Sequence, residues 1–469
     1  MNTTTTIRSQ LEDYLRTKGL TINRFAEISN TNSGTISSII NGTRPISMQQ
    51  LDRITSGMEL PEGALYELYV EECFRYSPNW RRLRPFLYRC AELDKLDCIH
   101  KIVQLMMDSL IYLPLLFDTA EDWYQQGNES AAAIIYECVA ESEKYQHSER
   151  LALCQYRLFS ISVGSNQQLN LQAATKFEGF VERLDEIDQL DALKDLANIY
   201  AALGRWGKVD EIAEKMGRKA SILYRNKYQT SRRRVLHKEP KKPLFLYIIY
   251  SYLLRSGVSD ARGEYEQALS YVSLYSDLDW VVEDSEEARQ IIAQYKMWAT
   301  ANRYMYKLMM GDVEVLPEYV AYIEVRPDEI LPALYKILQA ANRFGLDIDS
   351  VLKKFEQQIS EFATGKGLTG TYNEQVASDR YIRFVIELAI YHLNKQRYEV
   401  VVDYLLEGLR AATRINRIWA TRSSTEWDGN HSSSNGENHS HHWRLLILGI
   451  ISMLGQQEGL SGQEISEWL

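Results

Sequence analysis

Four short polar side chains near the N-terminus have the chemistry to hydrogen-bond to the edges of DNA bases. Residues 21–44 predict two short helices joined by a polar turn, because Ile36, Ile39 and Ile40 recur at helical spacing in the second half. Ser33 is the expected N-cap of the second helix. Hydroxyl and amide groups on such a helix can contact base edges in a major groove. The predicted DNA contacts are Asn32, Ser33, Thr35 and Ser38, with Arg44 on a phosphate.

A plain helical hairpin would show the same spacing, and the surrounding sequence favours a DNA-binding domain instead. Amphipathic helices are predicted before the motif, over 7–18, and after it, over 47–58. The pattern Ala-x8-Thr-Ile-Ser-x-Ile-x-Asn-Gly-x-Arg, from Ala26 to Arg44, resembles the phage-repressor (XRE) family. This resemblance implies a helix-turn-helix DNA-binding domain over residues 1–65.

The sequence carries no recognised catalytic motif. HExxH, G-x-S-x-G, a phosphate-binding glycine loop and a Rossmann fingerprint are all absent. Half of the eight histidines lie in the segment 421–442, which is rich in Ser, Asn and Gly. Their spacing matches no known metal-ligand pattern, so a flexible loop is favoured over a metal site. We therefore expect no enzyme, no cofactor and no metal.

The composition constrains where in the cell the protein is expected and how it could bind nucleic acid. The 469 residues are 45% hydrophobic, enough for two or more domains, and the net charge of −10 is unusual for a protein that only coats nucleic acid. Residues 1–60 are about neutral, so DNA binding would depend on local charge and on a dimer. Five cysteines without CxxC spacing indicate reduced thiols. Without a signal pattern or a membrane-length apolar run, we expect a cytoplasmic protein with no membrane partner.

Helical periodicity continues after Glu59 as units of helix, tight turn and helix. These units resemble tetratricopeptide repeats, which stack into a solenoid with a groove for a peptide or a partner helix. An irregular α-bundle is the alternative. The predicted fold is therefore all-α, with a helix-turn-helix domain over 1–65, a linker over 66–85 and a tetratricopeptide-like α-solenoid over 86–469. The clearest units cover 123–132, 196–213, 252–269 and 388–405.

Two predicted helices carry polar and aromatic side chains in stripes that suit a recognition groove. One stripe has the spacing i, i+4, i+8 and the other i, i+4, i+7. Asparagine amides offer the paired donor and acceptor that a peptide backbone needs. Ordinary exposed helix surface is the alternative for each asparagine. The predicted peptide-binding residues are Asn198, Gln294, Trp298, Asn302, Tyr335, Gln339 and Asn342.

The order of a repressor-like domain and a repeat domain resembles the peptide-pheromone receptors called RRNPP, which include the phage arbitrium receptors. The resemblance implies a cytoplasmic homodimer that binds a short signalling peptide and changes its grip on double-stranded DNA. The apolar run 445–454 is the expected dimer interface, with core packing as the alternative. A basic segment over 228–243 predicts either contacts to phosphates or, more simply, a solvated loop. Two other functions stay open: an interaction scaffold that docks a protein such as a response regulator, and a DNA-associated enzyme with an unrecognised active site.

Overall fold

The computed structural model describes residues 6–75, 79–107, 109–228, 238–363 and 374–406, without 402 and 405. All regular secondary structure within these ranges is helical, which confirms the predicted all-α class. The chain divides into two compact units, Met1–Ser162 and Val163–Leu469. Three stretches named above lie outside the described residues: 229–237 of the basic segment, the histidine-rich segment 421–442 and the apolar run 445–454.

The first unit begins with helices whose ends are set by local hydrogen bonds. Thr6 caps the first helix and Ser47 the fourth, and each forms a reciprocal capping box with the residue three positions on. Gly19 ends the first helix in the left-handed conformation, at φ 62°. The helices of this unit are α1 Ile7–Lys18, α2 Ile22–Ile28, α3 Ser33–Ile40, α4 Met48–Gly57, α5 Tyr66–Arg75, α6 Trp80–Glu92, α7 Leu96–Met106, a 3-10 turn Leu110–Tyr112, α8 Leu113–Gln125, α9 Glu129–Ser142 and α10 Glu149–Ser162.

The predicted linker 66–85 contains α5 and the first part of α6. Tyr66 and Tyr69 of α5 are completely buried, and each ring packs edge-on against Phe86 of α6, at 5.2 and 4.9 Å between centroids. Such aromatic pairs add to the stability that burial alone supplies. The stretch is therefore part of a packed core, while the division into domains at 65 and 85 stays a prediction.

The second unit is a succession of helical hairpins. Consecutive helices pack against one another from the first helix of the unit through Pro327–Phe344, which then packs against Glu374–Asn394. This succession is that of a repeat protein and confirms the predicted solenoid class. Gly204 and Gly263, at φ 65° and 75°, make the turns of two predicted hairpins. The helices are α11 Gln167–Glu178, a 3-10 turn Val181–Arg183, α12 Glu186–Ala202, α13 Trp206–Tyr228, α14 Leu244–Arg262, α15 Tyr265–Ser276, α16 Glu286–Met309, a 3-10 turn Val313–Val315, α17 Leu316–Glu324, α18 Pro327–Phe344, α19 Asp349–Lys354, α20 Glu356–Ala363 and α21 Glu374–Asn394.

The last hairpins share a core that fixes the position of α18. Leu334, Ile337 and Leu338 are completely buried on one side of α18, and Phe384 is buried on α21. Full burial of aliphatic side chains of this size contributes about 1.5–3 kcal/mol each relative to exposure. The other side of α18 is only partly buried, and it carries the predicted residues Tyr335, Gln339 and Asn342.

Candidate functional site

The N-terminus of α3 is capped by Asn32. Its side-chain oxygen accepts a hydrogen bond from the backbone N–H of Gly34 at 2.8 Å, and its backbone is extended. Ser33 is the first helical residue, so the prediction that Ser33 is the cap is wrong. Asn and Ser are about equally favourable caps, and spacing alone does not separate adjacent candidates.

The core-facing side of α3 agrees with its sequence pattern. Ile36 and Ile39 are completely buried and Ile40 is half-buried. On α2, Phe25 is completely buried, whereas Ile28 is 49% exposed. Ile28 is the last residue of its helix.

The predicted DNA-contacting side chains of α3 all reach the surface. Asn32 is exposed, and Ser33, Thr35 and Ser38 are partly exposed. Ser38 donates its hydroxyl to the carbonyl of Gly34 at 2.8 Å, which leaves the hydroxyl oxygen as an acceptor. Their role in binding DNA stays a prediction.

Two polar residues that the sequence analysis did not predict as DNA contacts share this surface. Ser37 is partly exposed and Asn41 is exposed, and the Asn41 amide donates to the Ser37 hydroxyl at 3.4 Å. Ser33, Ser37 and Asn41 recur every four residues, which places them on one side of the helix. That spacing was a signal that could have identified them.

The turn after α3 presents Arg44 to solvent. Gly42 has a φ of 69°, a conformation that favours glycine, and the hydroxyl of Thr43 donates to the carbonyl of Ser38 at 3.1 Å. Arg44 follows at once and is exposed. The turn therefore places an exposed arginine shortly after the C-terminal end of α3.

In the second unit, the predicted residue Asn198 joins two helices. It lies on the exposed side of α12, and its side-chain oxygen accepts a hydrogen bond from the hydroxyl of Tyr250 on α14. A tyrosine hydroxyl and an asparagine amide can both exchange this bond for one to a ligand or to water.

The stripe on α16 combines an amide with an aromatic cluster. The Asn302 amide donates to the hydroxyl of Tyr275 on α15 at 2.9 Å. The ring of Trp298 lies edge-on to Tyr295 at 5.1 Å, and Tyr295 in turn meets Tyr275 at 6.1 Å. Gln294 lies on the same helix and is partly buried. The structure thus brings Trp298 and Asn302 together through two buried tyrosines.

The stripe on α18 converges on a carboxylate that the sequence analysis missed. Asn342 donates its amide to the carbonyl oxygen and the carboxylate of Glu387 on α21, at 2.9 and 2.8 Å. Gln339 donates to the same carboxylate at 3.2 Å and to the hydroxyl of Tyr335 at 2.8 Å. Burial raises the pKa of the Tyr335 hydroxyl above its ordinary value. Three of the predicted residues therefore form one cluster around Glu387.

One polar atom of this cluster, the amide oxygen of Asn342, lacks a partner within the cluster. It is buried, and no hydrogen-bond donor meets it among the residues that the structure describes. A buried acceptor without a donor is costly, on the order of 1–3 kcal/mol. An N–H group brought to this oxygen would recover that cost. The role of the cluster in binding a peptide stays a prediction.

The described lysines of the basic segment are engaged within their own unit. Lys238 contacts both carboxylate oxygens of Asp188 at 2.6 Å, and Lys242 pairs with Glu287 at 2.7 Å. Carboxylates that already neutralise these charges weaken an attraction to phosphate. The pairing favours the interpretation of this stretch as an ordinary surface segment.

Two further properties concern the described part of the chain only. No group of three or more His, Cys, Asp or Glu side chains there could hold a metal ion. None of the helices in that part combines the length and the apolar character that crossing a bilayer requires.

No protein-family model and no curated protein matches the chain. One similar solved structure is that of Bacillus thuringiensis PlcR in complex with the peptide PapR7 and DNA, at 13% identity over 76% of this chain and 94% of that chain, with a TM-score of 0.22. Another is a circular tandem repeat protein with a novel repeat topology, at 12% identity over 96% of this chain and 89% of that chain, with a TM-score of 0.19. Both TM-scores are low, so neither likeness bears on the function of this chain.

Proposed function

We propose that the chain is a cytoplasmic, non-enzymatic transcription regulator that binds double-stranded DNA and is controlled by a short signalling peptide. The observation that carries the proposal is the construction of α3. This helix follows α2 through a short turn, is anchored by buried Ile36 and Ile39, and presents amide and hydroxyl side chains at its surface. A helix with this construction fits the major groove of B-DNA.

In the proposed complex, α3 enters the major groove and its polar side chains contact base edges. Asn32, Ser33, Thr35 and Ser38 supply sequence preference, while Arg44 contacts a phosphate and fixes the register. A single module of this size reads only a few base pairs. Two copies in a homodimer would read two half-sites about one helical turn apart, or a multiple of it.

The proposed sensor is the second unit, where three asparagine side chains hydrogen-bond across to neighbouring helices. The partners are Tyr250 for Asn198, Tyr275 for Asn302 and Glu387 for Asn342. A peptide backbone offers the same donors and acceptors, so it can replace these partners without leaving an amide unpaired. Replacement would separate helices that the bonds now join. The peptide can change the affinity for DNA only to the extent that it binds one arrangement of the helices more tightly than another.

The experiment that tests the proposal is selection of binding sites by the purified full-length protein from a random duplex pool. We expect enrichment of a motif with two related half-sites, and release or tightening of that DNA by a short peptide encoded next to the gene. A pool that shows no enriched motif after several rounds contradicts the DNA-binding function.

A second candidate is an interaction scaffold that docks a protein partner such as a response regulator. The observation in its favour lies in the first unit, where Leu110 and Ile111 are 66% and 78% exposed. Adjacent exposed aliphatic side chains can contribute to a contact with another protein. The scaffold moves ahead if site selection fails while Leu110→Ser and Ile111→Ser abolish a partner interaction found in cells.

A further inference from the structure

The arginines around α3 differ from the other basic residues of the first five helices in their lack of a carboxylate partner among the residues that the structure describes. Arg16, Lys18 and Arg24 each pair with a nearby carboxylate, and Arg8 pairs with a buried one. Within the described residues, the carboxylates of this region pair with other cations and not with the remaining three. Those three are Arg44, Arg53 and Arg75.

Arg75 lies at the C-terminal end of α3, although it is far away in sequence. It is the exposed last residue of α5. A methyl group built on Gly42 would lie 3.9 Å from the Nη2 atom of Arg75. Gly42 belongs to the turn that also carries Arg44, so two arginines lie near this end of the helix.

Arg53 lies at the opposite end. It is a partly exposed residue of α4, and its Nη1 atom donates to the carbonyl of Asn30 at 3.0 Å. Asn30 has a φ of 48° and lies in the turn that leads into α3. One hydrogen bond uses only one of the five N–H donors of an arginine, so the others stay available for a ligand.

We propose that Arg53 and Arg75 bind DNA phosphates and, with Arg44, form two cationic sites that bracket α3. The inference rests on the proposed function and deepens it, because Arg75 lies outside the predicted domain 1–65. The eight residues of α3 span about 12 Å at about 1.5 Å per residue. The major groove is also about 12 Å wide, so cations at the two ends of the helix come close to the backbones that border the groove.

The charge pattern of this region supplies a physical reason for the arrangement. Residues 1–60 are about neutral, so their net charge offers no general attraction to DNA. Arginines without carboxylate partners concentrate positive charge where a phosphate would lie. Their planar guanidinium groups also match the geometry of phosphate oxygens, which fixes orientation as well as affinity.

The test is the salt dependence of binding to a fluorescein-labelled, mixed-sequence duplex of about 30 base pairs, measured by anisotropy with the full chain. We expect Arg75→Gln and Arg53→Gln each to reduce the slope of log association constant against log salt by about 1 for each bound copy, so by about 2 for the proposed homodimer, and to weaken binding on the order of fivefold to tenfold per copy near ~0.1 M salt. Arg16→Gln is the matched control. It removes the same charge from an exposed arginine that already pairs with Asp13, so its slope should equal that of the parent.

Arg53→Lys separates charge from folding, because it keeps the positive charge while changing the hydrogen bond to Asn30. We expect it to restore most of the slope that Arg53→Gln loses. Parent-like slopes for both glutamine variants overturn the phosphate sites, while the proposed function stands if site selection still yields a motif. A parent protein that binds no duplex at any salt concentration overturns both.

Discussion

Arg8 of α1 and Glu72 of α5 form a buried, two-pronged ion pair. Their nitrogen and oxygen atoms meet twice at 2.6 Å, and each side chain is only 7% exposed. The third nitrogen of the guanidinium, Nε, donates to the carbonyl of Ile39 at 2.7 Å. A single side chain therefore links α1, the C-terminal end of α3 and α5, and its charge is balanced by a residue beyond the predicted domain 1–65.

Glu72→Gln should destabilise the first unit strongly. The substitution keeps the shape of the side chain but leaves the Arg8 guanidinium buried without a counter-charge, which typically costs about 3–5 kcal/mol. Glu71→Gln is the matched control, because Glu71 is the exposed neighbour on the same helix. The measurement is urea unfolding of both variants followed by circular dichroism. Equal urea midpoints for the two variants would show that the pair of Arg8 and Glu72 makes no specific contribution to stability.

The sequence predicted the elements of this region better than their connections. The helices expected over 7–18 and 47–58 correspond to α1 and α4. Hydrophobic periodicity is a local signal, so it identifies helices directly. Glu72 could not be distinguished from Glu71 in the same way, because its partner lies 64 residues away and only the packing of three helices brings them together.

Ser33→Ala with Ser38→Ala should erode sequence preference more than general affinity for DNA. Hydroxyl groups on α3 are placed to contact base edges, whereas non-specific binding depends on phosphates. Ser56→Ala, on an exposed position of α4, is the control. Mobility-shift competition between the selected motif and a scrambled duplex measures the ratio of the two affinities. An unchanged ratio in the double variant would contradict the role of these serines.

The protein should be a homodimer in solution. Two copies of a neutral module give the specificity that one copy lacks. The interface expected from the sequence is the apolar run 445–454, which lies outside the described residues. Light scattering at micromolar concentration measures the mass, and Leu446→Glu with Leu448→Glu should shift it to that of a monomer. A monomeric parent protein contradicts the dimer.

Stability of the second unit should fall as the pH is lowered, in part through His392. Only 8% of this residue is exposed, and burial, with help from Arg397 and Lys395, holds its pKa below the ordinary value against the opposing charge of Asp349. The unfolded chain therefore takes up a proton that the folded chain resists. The stabilising effect is complete above a pH of about 6.5 and declines as the pH falls through that value.

Comparing His392→Phe with the parent isolates this contribution, since phenylalanine retains a ring against Tyr391 and Tyr404 but does not titrate. Urea unfolding at a pH of about 7.5 and again at about 5.5 measures how much the free energy of unfolding of each protein changes between the two. We expect a smaller pH difference in the variant. The same difference in both would mean that other groups account for the whole effect.

The predicted peptide site shows a similar limit of sequence reasoning. The i, i+4, i+7 stripe of Tyr335, Gln339 and Asn342 correctly indicated side chains on one side of a helix. Their common partner, Glu387, lies 45 residues beyond Asn342 on another helix. A glutamate in a helical stretch usually indicates a solvated surface, so no local signal marked it. Whether the stripe binds a peptide depends on whether a ligand can displace that carboxylate.

Asn302→Ala and Asn342→Ala should each weaken peptide binding about fivefold to a hundredfold, because a buried peptide amide left unpaired costs roughly 1–3 kcal/mol. Asn342 should have the larger effect, since its buried oxygen has no donor in the described structure and gains one from the peptide. Asn128→Ala, at an exposed position of the first unit, is the control. Calorimetry with short peptides encoded beside the gene measures affinity, and urea unfolding shows whether the loss of the bonds to Tyr275 and Glu387 has disturbed the fold. If both variants fold and bind like the parent, the second unit does not hold a peptide through these amides and the scaffold function is favoured.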